Sequence, residues 1–256
     1  DRIAAMFENC PAYMEMHFVA AALRATLVNL NFRLAAPELA YILSNSEPSW
    51  LVAHVSYRSV LLDAMQHPDA GAAAASIRGF VWVGLAECTA VSPVELADLP
   101  LPECVSSACE HVYSEVVANS ADDQNPDALW SAPPMVVSNA LHLYYTSGTT
   151  GRPKGVVLTH KNMLCHATRC VATIGYCQND VWGHIAPMFH LVDSQAIYFM
   201  TQVAARHVFV RGFAPDSVMQ AIHEQKITTT NLASTMVAVL MSNPRRSELD
   251  LSSIRI

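Results

Sequence analysis

A loop rich in glycine and hydroxyl side chains, enclosed by two apolar runs, constrains this chain more than any other feature. Residues 141–145 and 156–158 are apolar runs of β-prone residues, and residues 146–155 between them contain hydroxyls, glycines and a single lysine, Lys154. Glycines let backbone N–H groups approach a polyphosphate, hydroxyls add donors, and the lysine adds a positive charge. The pattern therefore predicts a strand, an anion-binding loop and a second strand.

This loop is not a Walker A motif, which requires a glycine, four residues and then Gly-Lys-Ser/Thr. Here Pro153 precedes Lys154 and Gly155 follows it. Proline disfavours helical geometry at the residue before it, Arg152. The loop is therefore predicted to lead into a strand and not directly into a helix, which argues against a P-loop NTPase.

Composition favours a folded chain with a large core. Of the 256 residues, 52% are hydrophobic and 14% are charged, a balance that suits one large domain or two ordinary ones. The longest apolar stretch, 18–30, contains Arg24 and Asn29 and is too short to span a bilayer. With a net charge of -7 and no basic cluster, nucleic-acid binding is disfavoured.

The cysteines predict free thiols in a reducing compartment. There are seven, with no C-x-x-C pair and no zinc-ligand spacing. The histidines, among them His160, His166 and His184, have no carboxylate at metal-ligand spacing, and we predict no metal site in the chain. A cytoplasmic or reducing organellar location is expected, without a recognisable targeting segment.

Strands and helices are predicted to alternate, which indicates a mostly parallel α/β sheet. The predicted strands are 2–7, 27–30, 50–53, 79–83, 207–210 and 227–232, together with the two runs beside the loop. The predicted helices are 11–25, 37–43, 57–66, 106–117, 160–171, 194–204, 215–225 and 235–241. A polar, proline-bearing linker is predicted over 119–136, and the segment 251–256 has the pattern of the beginning of a strand.

The segment 145–156, Tyr-Thr-Ser-Gly-Thr-Thr-Gly-Arg-Pro-Lys-Gly-Val, resembles the signature loop of the AMP-forming adenylating enzymes. This superfamily includes acyl-CoA synthetases, coumarate-CoA ligases, firefly luciferase and the adenylation domains of nonribosomal peptide synthetases. The Asn-Phe-Arg-Leu turn at 31–34 and Pro-Met-Phe-His at 187–190 also resemble family patterns. The resemblance implies layered, mostly parallel sheets flanked by helices, as part of the family's large N-terminal domain. A first α/β subdomain is expected over about 9–175 and the start of a second over 180–256.

The resemblance implies ATP-dependent activation of a carboxylic acid to an acyl adenylate, followed by thioester formation with CoA. ATP, Mg²⁺ and CoA are the cofactors it implies, and a small carboxylate is the substrate. His190 would lie near the reacting carboxylate. The loop residues that would hold the β- and γ-phosphates are Thr146, Ser147, Gly148, Thr149, Thr150, Gly151 and Lys154.

The chain departs from the family pattern in two informative places. Asp193 stands where the family usually has Gly or Ala, which predicts a carboxylate near the wall of the acyl pocket. Arg211 lies one step before the usual basic position, so a CoA contact there is left open. An amino-acid adenylation domain, in which a pocket aspartate pairs with the α-amine, stays as an alternative.

Several family motifs do not occur in these 256 residues. They are the Tyr-Gly-x-Thr-Glu segment, the ribose-binding aspartate, and the small C-terminal domain with its adenylation lysine. We therefore expect a truncated chain that turns over nothing alone, and a non-catalytic nucleotide-binding remnant is the second alternative. The acyl substrate and the oligomeric state are left open.

Overall fold

Two compact units make up the chain in a computed structural model. One consists of Asp1–Phe7 and Pro11–His160, and the other of Glu8–Cys10 and Lys161–Ile256. The subdomain limits expected from the resemblance stay a prediction. The structure describes residues 1–71, 73–84, 101–105, 107–120, 135–146 and 151–256.

The first unit is built on a sheet with the strand order β5-β4-β3-β1-β2-β6-β7. Its strands are β1 (Arg2–Met6), β2 (Thr26–Asn29), β3 (Trp50–His54), β4 (Gly79–Val83), β5 (Cys109–Val112), β6 (Ala140–Thr146) and β7 (Lys154–Thr159). Neighbouring strands are parallel, except that β6 and β7 run antiparallel. The predicted mostly parallel α/β architecture is thus confirmed.

Helices pack on this sheet because its central strands are apolar on both faces. Ala4, Ala5 and Met6 in β1 are all fully buried, as expected for a parallel strand covered on two sides. The helices of this unit are α1 (Pro11–Ala22), α2 (Ala36–Ser46), α3 (Arg58–Gln66), α4 (Ala73–Ser76) and α5 (Tyr113–Ser120).

Helix α2 has well-defined ends and one buried face. Pro37 lies in its first turn, where a missing N–H has no cost, and the Glu38 carboxylate accepts a hydrogen bond of 3.0 Å from the Ala35 N–H. Leu39 and Leu43 point into the core and are no more than 1% exposed. Leu39 and Leu43 therefore anchor α2 in the core of the first unit.

The second unit contains a two-stranded parallel sheet, β8 (Val181–His184) with β9 (Arg206–Phe209). Its helices are α6 (His160–Ile174, of which all but His160 belongs to this unit), α7 (Leu191–Gln202), α8 (Pro215–Gln225) and α9 (Ser234–Ser242). The C-terminal segment is fixed to β8 by Arg255, whose guanidinium donates from Nε to Asp180 at 2.8 Å. Asp180 also accepts from Thr228, and these contacts hold the pKa of Asp180 down at about 2.

Two sequence predictions are wrong. Residues 106–117 were expected to be one helix, but 109–112 form β5 because Cys109 and Glu110 pair with β4, and the helix begins only at Tyr113. Residues 227–232 were expected to be a strand, yet only one isolated bridge joins Thr229 to Trp182. The Thr228 hydroxyl accepts from the Val181 N–H at 2.9 Å. A side-chain oxygen therefore takes the place of a backbone carbonyl as the partner of that N–H.

Other predictions agree closely with the structure or lie outside the part it describes. The helix predicted at 215–225 is observed at Pro215–Gln225, and it ends at Lys226 in a left-handed conformation. Most of the predicted linker, 121–134, lies outside the described residues, while Asn119 and Ser120 belong to α5. Across the described residues, no helix combines the length and apolarity needed to cross a membrane.

Candidate functional site

The two arms of the predicted phosphate loop are adjacent strands of the first unit. Strands β6 and β7 place Tyr145 opposite Gly155 and Thr146 opposite Lys154. The Thr146 hydroxyl donates to the Lys154 carbonyl at 3.5 Å. The side chains of Thr146 and Lys154 are exposed at this end of the hairpin, so the ammonium group is accessible to an anion.

Of the predicted phosphate-binding residues, Thr146, Gly151 and Lys154 lie within the described residues, and Ser147, Gly148, Thr149 and Thr150 lie outside them. Gly151 has a φ of 145°, a backbone conformation that residues with a Cβ rarely adopt. A Cβ on Gly151 would meet nothing within 4 Å. The glycine is therefore required by backbone conformation and not by crowding.

Helix α2 supports both arms, a feature that no sequence motif indicated. The Tyr145 hydroxyl donates to Asn45 Oδ1 at 2.7 Å, and the Tyr41 hydroxyl donates to the Pro153 carbonyl at 3.1 Å. Burial raises the pKa of Tyr145 to about 12, so its hydroxyl keeps the proton it donates. The Arg152 guanidinium lies over the Tyr41 ring, 5.0 Å from its centroid.

His190 is the residue before α7 in the second unit and has extended backbone geometry there. Its side chain is exposed, and its ring lies 4.3 Å, centroid to centroid, from the ring of Phe189. The His190 carbonyl accepts from the backbone N–H groups of Asp193 and Ser194, which begins the helix. The exposed side chain is accessible to a ligand, unlike that of a core histidine.

Asn9 fixes the backbone that leads to His190. Its amide nitrogen donates to the carbonyls of His184 at 2.9 Å and Ala186 at 2.8 Å, and its amide oxygen accepts from the Met188 N–H at 2.9 Å. Asn9 is only 6% exposed, so these bonds form away from water. No local pattern marks this residue, because its partners lie far along the chain.

Asp193 does not take the position expected of a carboxylate on a pocket wall. It is fully buried, with Oδ2 at 2.6 Å from His184 Nδ1 and Oδ1 accepting from Trp182 Nε1 at 3.3 Å. His184 Nε2 lies 2.9 Å from His207 Nδ1, and His207 Nε2 lies 3.2 Å from the Thr201 hydroxyl. The Asp193 side chain is therefore committed to contacts inside its own unit.

For a neutral His184 ring, the hydrogen-bond chain from Asp193 runs in one direction. A carboxylate only accepts, so His184 donates from Nδ1 to Asp193, and its Nε2 then accepts from His207 Nδ1–H. His207 then accepts from the Thr201 hydroxyl at Nε2. Burial, with the neighbouring His184, lowers the pKa of His207 to about 4, which keeps the ring neutral at pH 7.

Two further sites considered in the sequence have structural assignments. The Arg211 guanidinium forms an ion pair with the Glu8 carboxylate, within the second unit. In the part of the chain that the structure describes, no group of three or more His, Cys, Asp or Glu side chains is arranged to hold a metal ion. Asp193 and His184 form a buried hydrogen-bonded pair, to which Trp182 also donates.

Comparison with known proteins identifies the protein family of this chain. The AMP-binding enzyme family matches residues 1–256, so the chain belongs to this family. Feruloyl-CoA synthase of an Amycolatopsis species is 28% identical over 256 residues, which are 100% of this chain and 43% of that enzyme. Crotonobetaine/carnitine–CoA ligase of Shigella sonnei is 27% identical over 248 residues, 95% of this chain and 42% of that ligase.

Solved structures show the same fold. A red-emitting luciferase from Phrixothrix hirtus superposes with a TM-score of 0.76 at 17% identity, covering 99% of this chain and 44% of the luciferase. The chain therefore spans less than half of the length of these relatives and corresponds to their N-terminal part. Both curated relatives are named as a CoA synthase or a CoA ligase.

Proposed function

We propose that this chain supplies the phosphate-binding part of an AMP-forming ligase that joins a fatty or related carboxylic acid to CoA. The observation that carries the proposal is the β6–β7 hairpin, which presents Thr146, Gly151 and Lys154 at one exposed end. An exposed lysine beside a glycine in a conformation that other residues rarely adopt matches the requirements of a polyphosphate site. The named activities of the relatives support the acid–CoA ligase class.

The first step in this proposal is attack of a carboxylate oxygen on the α-phosphorus of ATP, with pyrophosphate leaving. Lys154 and the loop donors neutralise the charge that builds up on the leaving β- and γ-phosphates. The sulfur of CoA then attacks the acyl carbonyl carbon, AMP leaves, and the thiol proton passes to solvent. His190 is proposed to act on the reacting carboxylate as a neutral donor.

Magnesium, which the resemblance implies, would be held in large part by the phosphates of the nucleotide. Mg²⁺ usually combines one or two carboxylates with substrate phosphates and water, where it neutralises phosphate charge. The described residues of the hairpin itself, 140–146 and 151–159, contain no carboxylate, and no group of three or more metal-ligating side chains occurs in the described part of the chain.

Asp193 argues against the amino-acid adenylation alternative. A pocket aspartate that pairs with an α-amine needs a free carboxylate facing the ligand. Both carboxylate oxygens of Asp193 are engaged by His184 and Trp182, and the side chain is 0% exposed. An acid without an α-amine is therefore the substrate class we propose.

The test is carboxylate-dependent exchange of labelled pyrophosphate into ATP, run on the natural protein that carries these 256 residues. Fatty, aromatic and amino acids are compared. Lys154→Ala is expected to lower exchange by roughly 30- to 1000-fold, from a transition-state loss of about 2–4 kcal/mol. Lys161→Ala, which removes an exposed lysine outside the hairpin, is the matched control and should leave the rate unchanged.

The outcomes separate the alternatives. Exchange with amino acids alone would favour the adenylation-domain alternative. No exchange with any acid, from a folded protein that still binds ATP in a calorimetric titration, would favour a non-catalytic nucleotide-binding protein. Because the chain spans only 43% of feruloyl-CoA synthase, we also propose that the 256 residues alone form no acyl adenylate, and detection of that product would contradict this.

A further inference from the structure

One face of α2 contacts both arms of the β6–β7 hairpin. Tyr41 and Asn45 are four residues apart and therefore lie on the same face of the helix, about one turn from each other. Asn45 accepts from Tyr145 on the arm that enters the loop, and Tyr41 donates to Pro153 on the arm that leaves it. A single rigid element thus holds the loop at both of its ends.

The contact on the leaving arm is next to the predicted phosphate-binding lysine. The Pro153 carbonyl and the Lys154 nitrogen lie in one planar peptide group. A hydrogen bond that fixes the Pro153 oxygen therefore also fixes the orientation of the Lys154 nitrogen. Proline also restricts its own φ to a narrow range. With the carbonyl held by Tyr41, little freedom is left in the backbone immediately before Lys154.

The Tyr41 ring has a second partner on the same arm. The Arg152 guanidinium lies over it at 5.0 Å and is also 3.8 Å from the Asp69 carboxylate. Both charged side chains of that pair are exposed, so the pair itself contributes little to stability. The stacking on Tyr41 therefore places the Arg152 guanidinium against α2.

Gly155, on the leaving arm, makes room for Tyr145 on the entering arm, the tyrosine that reaches Asn45. A Cβ at Gly155 would lie 3.3 Å from the Tyr145 ring and 3.1 Å from a Leu143 methyl group, closer than most such contacts. The glycine opposite Tyr145 therefore lets the ring lie across the neighbouring strand. From there its hydroxyl reaches Asn45 at 2.7 Å.

We infer that Tyr41 and Asn45, which we call the α2 clamp, are positioning residues that set Lys154 and its arm for the phosphates of ATP. This inference rests on the proposed function of the hairpin. Neither residue touches substrate in this scheme, and both act through Pro153 and Tyr145. The clamp fixes the backbone from which the Lys154 side chain extends before the nucleotide arrives, so that less backbone freedom is lost on binding.

The kinetic test uses Tyr41→Phe and Asn45→Ala in the natural protein. Tyr41→Phe keeps the ring under Arg152 and removes only the hydroxyl. Each change is expected to raise KM for ATP in pyrophosphate exchange by about three- to tenfold, the effect of one hydrogen bond, and to leave KM for the carboxylate unchanged. Tyr113→Phe, which removes a tyrosine hydroxyl that donates to Glu15, is the matched control.

A second readout needs no catalytic activity. Trypsin cleaves after Lys154 but not at the Arg152–Pro153 bond, so mass spectrometry of a short digestion measures how often the leaving arm detaches. Tyr41→Phe should accelerate cleavage after Lys154 by about three- to tenfold relative to the wild type and Tyr113→Phe. Melting temperatures of all variants check that the remainder of the fold is intact.

The outcomes distinguish the clamp from the proposed function. Absence of exchange in the wild type would overturn the proposed function, while the cleavage comparison would still decide whether Tyr41 positions Lys154. Exchange with an unchanged KM for ATP in both variants would overturn the clamp alone. Equal increases in KM for ATP and for the carboxylate, with a lowered melting temperature, would indicate a general structural role and would also overturn it.

Discussion

Asp193 offers the sharpest test of the structure, because its predicted and observed surroundings differ. It accepts from His184 Nδ1 at 2.6 Å and from Trp182 Nε1 at 3.3 Å, and both Asp193 and His184 are 0% exposed. In Asp193→Ala, two buried donors lose their acceptor, at about 1–3 kcal/mol each. The free energy of unfolding should therefore fall by about 2–6 kcal/mol, the cost of the two orphaned donors together.

Asp193→Asn should cost less, about 1–2 kcal/mol. The asparagine oxygen can still accept from Trp182, and its NH₂ can donate to His184 Nδ1 if the histidine carries its proton on Nε2. His184 would then donate to His207 Nδ1, and His207 would donate to the Thr201 hydroxyl, so the whole chain reverses. Only the charge-assisted part of the interaction is lost.

The measurement is urea unfolding followed by tryptophan fluorescence, to which Trp182, a donor to Asp193, contributes. Asp63→Ala, on the exposed side of α3, is the matched control and should change the free energy of unfolding by less than about 0.5 kcal/mol. A loss of less than about 1 kcal/mol in Asp193→Ala would refute the buried pair. An Asp193→Asn variant as unstable as Asp193→Ala would refute the reversal of the chain.

Two further predictions concern acid and packing. Burial, together with a neighbouring histidine, lowers the pKa of His142 to about 3 and of His207 to about 4, from 6.5. Below pH 6.5 the unfolded chain therefore binds more protons than the folded chain, and the free energy of unfolding should fall as the pH drops from about 6.5 to 4. A free energy of unfolding that stays constant across that pH range, measured by urea unfolding, would contradict this. Gly79→Ala would place a Cβ 2.4 Å from the Trp50 ring and 2.7 Å from Cys109 Sγ. The substitution should lower the free energy of unfolding by about 1–3 kcal/mol. An unchanged melting temperature would show that β3 and β5 move apart there without loss of stability.

Much of the fold was predictable because its determinants are local. The apolar runs beside the loop are observed as β6 and β7, and Pro215 predicted the start of α8. Strand β5 was missed because its stability comes from distant partners. Glu110 accepts from Trp82 Nε1 at 2.7 Å and from Arg58 Nη2 at 2.9 Å, contacts that no window around residue 110 contains.

The same distinction applies to the candidate site. Lys154 and His190 were predicted because they belong to compact motifs. Tyr41, Asn45 and Asn9 were not, since each acts on a segment at least a hundred residues away, and a tyrosine or asparagine beside a helix face has no pattern of its own. Only the folded topology brings these supporting side chains to the motifs they hold.

The place of β6 in the sheet has a consequence for how the first unit folds. Asn29 in β2 pairs with Tyr144 in β6, over a hundred residues later, and β7 then pairs only with β6. Closing so long a loop costs more chain entropy than forming the local β1–β2 and β1–β3 pairs, and non-local strand pairing slows folding. We therefore expect β2 to gain its second neighbour only after β6 has been synthesised. The hairpin that carries Lys154 joins the sheet in the same late step, so the arms proposed to bind phosphate take their places after the local strand pairs have formed.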